Sequence, residues 1–105
     1  MNPEYDPTVW QSMDLEIKPD GHVAGQALSE PLPSGHVVTA SVVSYEYERN
    51  GMARINHVPQ VALTDETGAI VGEPMAHDAR NAETAVENAL QAGEYAAENP
   101  EQFLD

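Results

Sequence analysis

The stretch Val37–Leu63 reads VVTASVVSYEYERNGMARINHVPQVAL, and its reading decides the fold. Its first half, Val37 to Glu48, is dense in β-branched and aromatic residues, which fit a pleated, half-buried surface. Asn50-Gly51 then supplies the pair preferred by a two-residue type I′ hairpin turn. Met52 to Leu63 returns as the second strand. The turn fixes the register: opposite residues sum to 101, so Val38 meets Leu63, Ala40 meets Val61 and Val42 meets Pro59. On the other face Val43 meets Val58, Tyr45 meets Asn56 and Tyr47 meets Arg54. The first face is the better core; the second, with its tyrosines, stays partly wet. Proline donates no hydrogen bond, so Pro59 calls for a bulge or an edge near it.

Upstream, Met13, Leu15 and Ile17 alternate with Asp14 and Glu16, the period of a half-buried strand. Lys18-Pro19-Asp20-Gly21 suits a type I turn. His22 to Leu28 returns as a weaker strand, loosened by Gly25, and the proline-rich run Ser29 to Gly35 is a loop. Residues 1–11, with Pro3 and Pro7, read as an extended N-terminal arm anchored by Trp10. Residues 12–105 read as a single domain.

Downstream, Asp65-Glu66-Thr67-Gly68 is a tight turn and Ala69 to Met75 a short strand weakened by Gly72 and Pro74. Ala82 to Glu98, AETAVENALQAGEYAAE, carries the chain's one long helical period. Ala85, Val86, Ala89, Leu90, Ala96 and Ala97 share one face, while Glu83, Glu87, Glu94 and Glu98 fall within about 60° of each other on the opposite side. Asn81 is the expected N-cap, with Glu83 in the first turn favourable to the helix dipole. Asn99-Pro100 ends the helix, and Phe103 and Leu104 are placed to pack back. The fold class is therefore α+β: an antiparallel meander sheet of four to five strands, with one C-terminal helix across one face.

A chain of 105 residues supports one modest core. It has no cysteine, which excludes disulfides and thiolate chemistry. No apolar run could span a bilayer and the N-terminus has no signal-peptide pattern, so the expected compartment is cytoplasmic. Eighteen acidic residues stand against four basic ones, a net charge of −14. That disfavours direct contact with nucleic acid or anionic membrane and favours a basic partner. Solubility or adaptation to high salt is the plainer reading of the same charge; Glu outnumbers Asp twelve to six, which counts against salt adaptation.

The chain carries no catalytic or phosphate-binding motif. His22, His36, His57 and His77 show no metal-ligand spacing, no G-x-S-x-G elbow is present, and Gly68 and Gly72 do not form a phosphate loop. Glu46 and Glu48 form a carboxylate pair, the one feature an enzyme reading could use. The expectation is a non-enzymatic protein without cofactor or metal.

The acidic helix line is what remains. Glu83, Glu87, Glu94 and Glu98 span about 22 Å, with neighbours one turn apart about 6 Å from each other, comparable to successive phosphates along a nucleic-acid strand. Asp78 before the helix and Glu101 and Asp105 after it extend the field. A helix selected for stability alone would mix charge signs. In size and charge the chain resembles the anti-restriction and anti-CRISPR proteins of phages and plasmids, a likeness that no motif carries. The resemblance implies an inhibitor that imitates nucleic-acid phosphates and occupies a basic groove on a nucleic-acid-binding protein, with Tyr45 and Tyr47 as further anchors. The alternative is an accessory or structural domain of such a system, self-associating as a homodimer through sheet edges near Leu15 and Val71.

Overall fold

The computed structural model describes residues 7–104. The first six residues of the expected arm, and Asp105, lie outside them. The chain forms β1 (Trp10–Met13), β2 (Glu16–Ile17), β3 (Val23–Ala24), β4 (Ala27–Ser29), β5 (Val37–Arg49), β6 (Met52–Thr64), β7 (Ile70–Gly72), α1 (Ala82–Glu98) and a 3₁₀ turn at Pro100–Gln102. The main sheet has the order β1-β4-β5-β6-β7, and β2 pairs with β3 beside it. Every pairing is antiparallel. This is the expected α+β architecture, with the helix laid across one face of β5 and β6.

The central hairpin takes the register its turn dictates, from Val37↔Thr64 to Arg49↔Met52. Asn50 and Gly51 both have positive φ, 53° and 76°, as a type I′ turn requires. Along β5 and β6 one face is buried, with Val38, Ala40, Val42, Val61 and Leu63 at 0–6% exposure. Pro59 needs no bulge, because the ladder runs through it unbroken. Its neighbour His57 exchanges both backbone hydrogen bonds with Ala79 on the far side of β6, at 3.0 Å each. Residue 59 shares that orientation, so its missing N–H faces away from β5, where β7 has not begun. The edge half of the expectation holds and the bulge half does not.

The N-terminal hairpin is one register interrupted by a kink. Met13↔Ala27 and Glu16↔Ala24 belong to the same alignment, and Asp14 N–H bonds the Gln26 carbonyl between them at 3.0 Å. Gly25 makes the kink. Its φ is +82°, and a Cβ there would collide with the Asp14 carbonyl. The single strand expected over Met13–Ile17 is thereby split, while Leu15, on the apolar side of the expected alternation, is 6% exposed. The sheet begins at Trp10, so the last two residues of the expected arm belong to β1. The strand expected over Ala69–Met75 shrinks to Ile70–Gly72; Pro74, lacking an N–H, cannot extend its ladder.

The helix has the expected limits. Asn81 Oδ1 accepts from Thr84 N–H at 3.2 Å, and the Asn99 N–H closes the C-terminal end on the Tyr95 carbonyl. Its buried residues are Ala85, Val86, Ala89, Leu90, Gly93 and Ala96. Phe103 and Leu104 pack back against the core, and the Phe103 ring meets Tyr95 edge-on at 6.0 Å. No helix among the described residues is long and apolar enough to cross a membrane.

Candidate functional site

Spacing along α1 fixes where its glutamates point. The buried residues centre about 120° around the helix from the glutamate row, not opposite it. The row is a flank. The crest farthest from the sheet is formed by Thr84, Gln91, Tyr95 and, at the edge of the row, Glu98, all exposed. The expected opposition fails on the helical angles themselves, because Leu90 lies close beside Glu83 around the helix.

Glu83, Glu87 and Glu98 are exposed on this flank, with Asp78 and Glu101 exposed beyond its two ends. Glu94 differs. It is half-buried, and its Oε2 accepts a hydrogen bond from Trp10 Nε1 at 3.0 Å. Trp10 is 4% exposed and lies over Gly93, where an added Cβ would stand 2.5 Å from the indole. The carboxylate therefore satisfies a buried donor and ties β1 to the helix. Gly93 and Glu94 act as one device, a gap for the ring and an acceptor for its N–H. The adjacent Gly-Glu within an otherwise alanine-rich seam was the signal for it.

The acids stand without basic partners. Among the described residues the one ion pair joins His22 to Asp20 at 3.3 Å, and none brings Lys or Arg within 4.0 Å of a carboxylate. The flank's charge is thus offset by no side-chain cation.

Tyr45 and Tyr47 are not brought to the helix row. They lie on the opposite face of the sheet, with ring centroids 6.1 Å apart, and the Tyr45 hydroxyl accepts from Asn56 Nδ2 at 2.9 Å. That face has its own composition. The odd residues of β5 and the even residues of β6 include no Asp or Glu, but they do include Arg49 and Arg54. A groove of about 440 Å³ runs along the β6 margin of this face, lined by Thr39, Ser41, Gln60 and Ala62, by Pro59 and Val61 from the helix-side positions of β6, and by Ile70, Glu73 and Met75.

The hairpin register also pairs Ser44 with His57, and the side chains meet at 2.7 Å. Ser44 Oγ also accepts the Val23 N–H at 3.0 Å, and the direction of its bond with His57 Nδ1 follows the imidazole tautomer. Burial holds the imidazole pKa below its ordinary 6.5, with His22 adding a smaller push the same way. Among the described residues no acid is hydrogen-bonded to His57, and Ser44 links β3 to β5. Sequence reading derived the register that brings these two residues together without pairing them.

A smaller concavity of about 260 Å³ holds Asp65, Glu66 and His36. Asp65 Oδ1 is committed to its own turn: it accepts from Thr67 N–H, Thr67 Oγ1 and Ala69 N–H at 2.6–3.1 Å. These bonds, the Thr67 hydroxyl first, hold its pKa below the usual 3.8. Among the described residues no group of three His, Asp or Glu side chains could hold a metal ion.

In the main sheet the edge strands are β1 and β7, with four and three residues, and β2 and β3 form a separate two-stranded sheet. Val71 lies on β7, and Leu15 lies between β1 and β2. β4 and β7 pair with only two residues each of β5 and β6, so most of the outer margins of those long strands meet no neighbouring strand among the described residues. No protein-family model matches the chain, and no curated protein or solved structure matches it either.

Proposed function

We propose that this protein is a small acidic binding module that inhibits a nucleic-acid-binding protein by occupying its basic groove, in the manner of phage or plasmid anti-restriction and anti-CRISPR inhibitors. The observation that carries this reading is the uncompensated acidic flank of α1: Glu83, Glu87 and Glu98 in regular helical array, Asp78 and Glu101 beyond them, and no basic side chain against any of them. A field of one sign steers a basic partner into encounter, and the row then pairs with that partner's Lys and Arg. Glu94 contributes charge to the field while its Oε2 stays on Trp10. The tyrosines, on the other side of the sheet, take no part in this contact.

The test is capture of partners from the source cell at low salt, followed by elution in a salt gradient. A basic nucleic-acid-binding protein should be retained and should elute as salt rises. The triple variant Glu83→Gln, Glu87→Gln, Glu98→Gln should lose it while remaining folded. Retention of that partner by the triple variant would remove the helix flank from the reading.

A further inference from the structure

The protein carries a second organised surface, and it is the reverse of the first. Eighteen acids are distributed over this chain, yet none lies among the outward residues of β5 and β6. Two of the four basic residues, Arg49 and Arg54, do. The face is open: Val43 is 50% exposed, Tyr45 45%, Ile70 59% and Met75 85%. We propose that this face is a self-complementary dimer surface, on which a second copy of the chain packs antiparallel.

Three features of the face argue for a second copy. The first is electrostatic. Two chains of net charge −14 repel each other strongly, and an acid-free face is where they can approach. The second is polarity along the strands. Arg49 and Arg54 stand at the hairpin tip, whereas Glu73 borders the groove toward the other end. An antiparallel pair sets each cationic tip over the other copy's acidic end, the self-complementarity that a twofold interface requires.

The third feature is shape. A twofold axis between the sheets, perpendicular to the strands and level with Val43, places Tyr45 over the other copy's Ser41 and Tyr47 over its Thr39. Those two residues line the groove. The aromatic pair of each copy then fills the hollow of the other, with exposed Ile70 and Met75 beside it. Clustered tyrosines entering a pocket are the usual anchors of an interface. Two strands of 13 residues, about 3.4 Å per residue and about 4.8 Å wide each, offer roughly 400 Å² per copy with Ile70 and Met75 beside them, the size of a weak, reversible interface. The dimer would carry its two acidic helices outward on opposite sides. The proposal does not depend on the inhibitor reading, which concerns the other face.

Sedimentation velocity of the intact chain, across micromolar to millimolar concentrations, tests it. The wild type should sediment as a dimer. Ser41→Glu puts a carboxylate under the other copy's Tyr45 and should weaken the dimer about tenfold or more, as should Arg54→Glu and Glu73→Arg separately. Circular dichroism establishes that each variant is folded. Mixing Arg54→Glu with Glu73→Arg should restore the dimer, because each swapped charge then faces its opposite at both symmetry-related contacts. A wild type that stays monomeric overturns the proposal, and so does a dimer indifferent to Ser41→Glu and Arg54→Glu. A monomer that captures an unrelated protein, and loses it on Tyr45→Ala with Tyr47→Ala, assigns the face to a different partner and also overturns it.

Discussion

Glu94 shows how one residue changes meaning between sequence and structure. By spacing it belongs to an acidic row; by contact it caps a buried indole. Replacing it with alanine leaves Trp10 Nε1 buried without a partner, a cost of about 1–3 kcal/mol. Urea unfolding should show that loss for Glu94→Ala and a change within about 0.5 kcal/mol for the exposed Glu87→Ala. Gly93→Ala should destabilise by about 1–3 kcal/mol, since its methyl meets the indole ring. His57 yields a pH dependence. Its folded pKa lies below 6.5, so the unfolded chain binds the proton more readily. The stability from keeping it neutral is complete above pH 6.5 and is lost as pH falls through the lowered folded value. Melts between neutral and mildly acidic pH should show this decline. In His57→Phe, expected to be less stable at neutral pH through loss of the Ser44 bond, the slope in that window should flatten.

At the scale of elements, α1 is governed by two opposed demands. Its cap and its alanine-rich seam favour the helix: Asn81→Ala should cost about 1 kcal/mol by removing the Thr84 hydrogen bond. Its glutamates oppose it, because Glu83–Glu87 and Glu94–Glu98 are like charges one turn apart, each pair costing a few tenths of a kcal/mol. The Glu83→Gln, Glu87→Gln, Glu98→Gln variant should therefore be slightly more stable than the wild type in thermal melts while failing to retain the proposed partner. A stability gain joined to a binding loss is what a row kept for recognition gives; a row kept for folding would give the reverse. The β5–β6 hairpin has no comparable conflict. Its turn and its register agree at every pair from Val37↔Thr64 to Arg49↔Met52, Pro59 included.

Taken whole, the molecule is an electrostatically divided two-layer domain. Acids crowd the helix flank and the connections, and the outward residues of β5 and β6 include none. With a net charge of −14 and no Lys or Arg paired to a carboxylate among the described residues, self-repulsion opposes the compact state. Screening shortens the reach of that repulsion to about 10 Å at 0.1 M salt. The melting temperature should accordingly rise with sodium chloride between low and moderate ionic strength, measured by circular dichroism. The same salt should weaken the contact of the helix flank with a basic partner.

The sequence by itself determined the parts of this protein whose causes are local. Asn50-Gly51 sets the backbone twist that a tight hairpin needs, and a period-2 side-chain pattern then fixes which residues face inward, so the register and the core face of β5 and β6 follow directly. Asn81 and Asn99-Pro100 bound the helix for equally local reasons. What only the tertiary structure decided depends on residues distant in sequence meeting. Trp10 takes Glu94 out of the free row and requires Gly93, across more than eighty positions that no periodicity links. Gly25 kinks the N-terminal hairpin where the Asp14 carbonyl lies against it. The separation of the tyrosines from the acidic flank, by contrast, follows from the register: Val38 and Leu63 lie on the face that Val86 and Leu90 cover, and Tyr45 and Tyr47 lie on the other. Local chemistry set the elements; burial of apolar surface between them set which charges remain free to act.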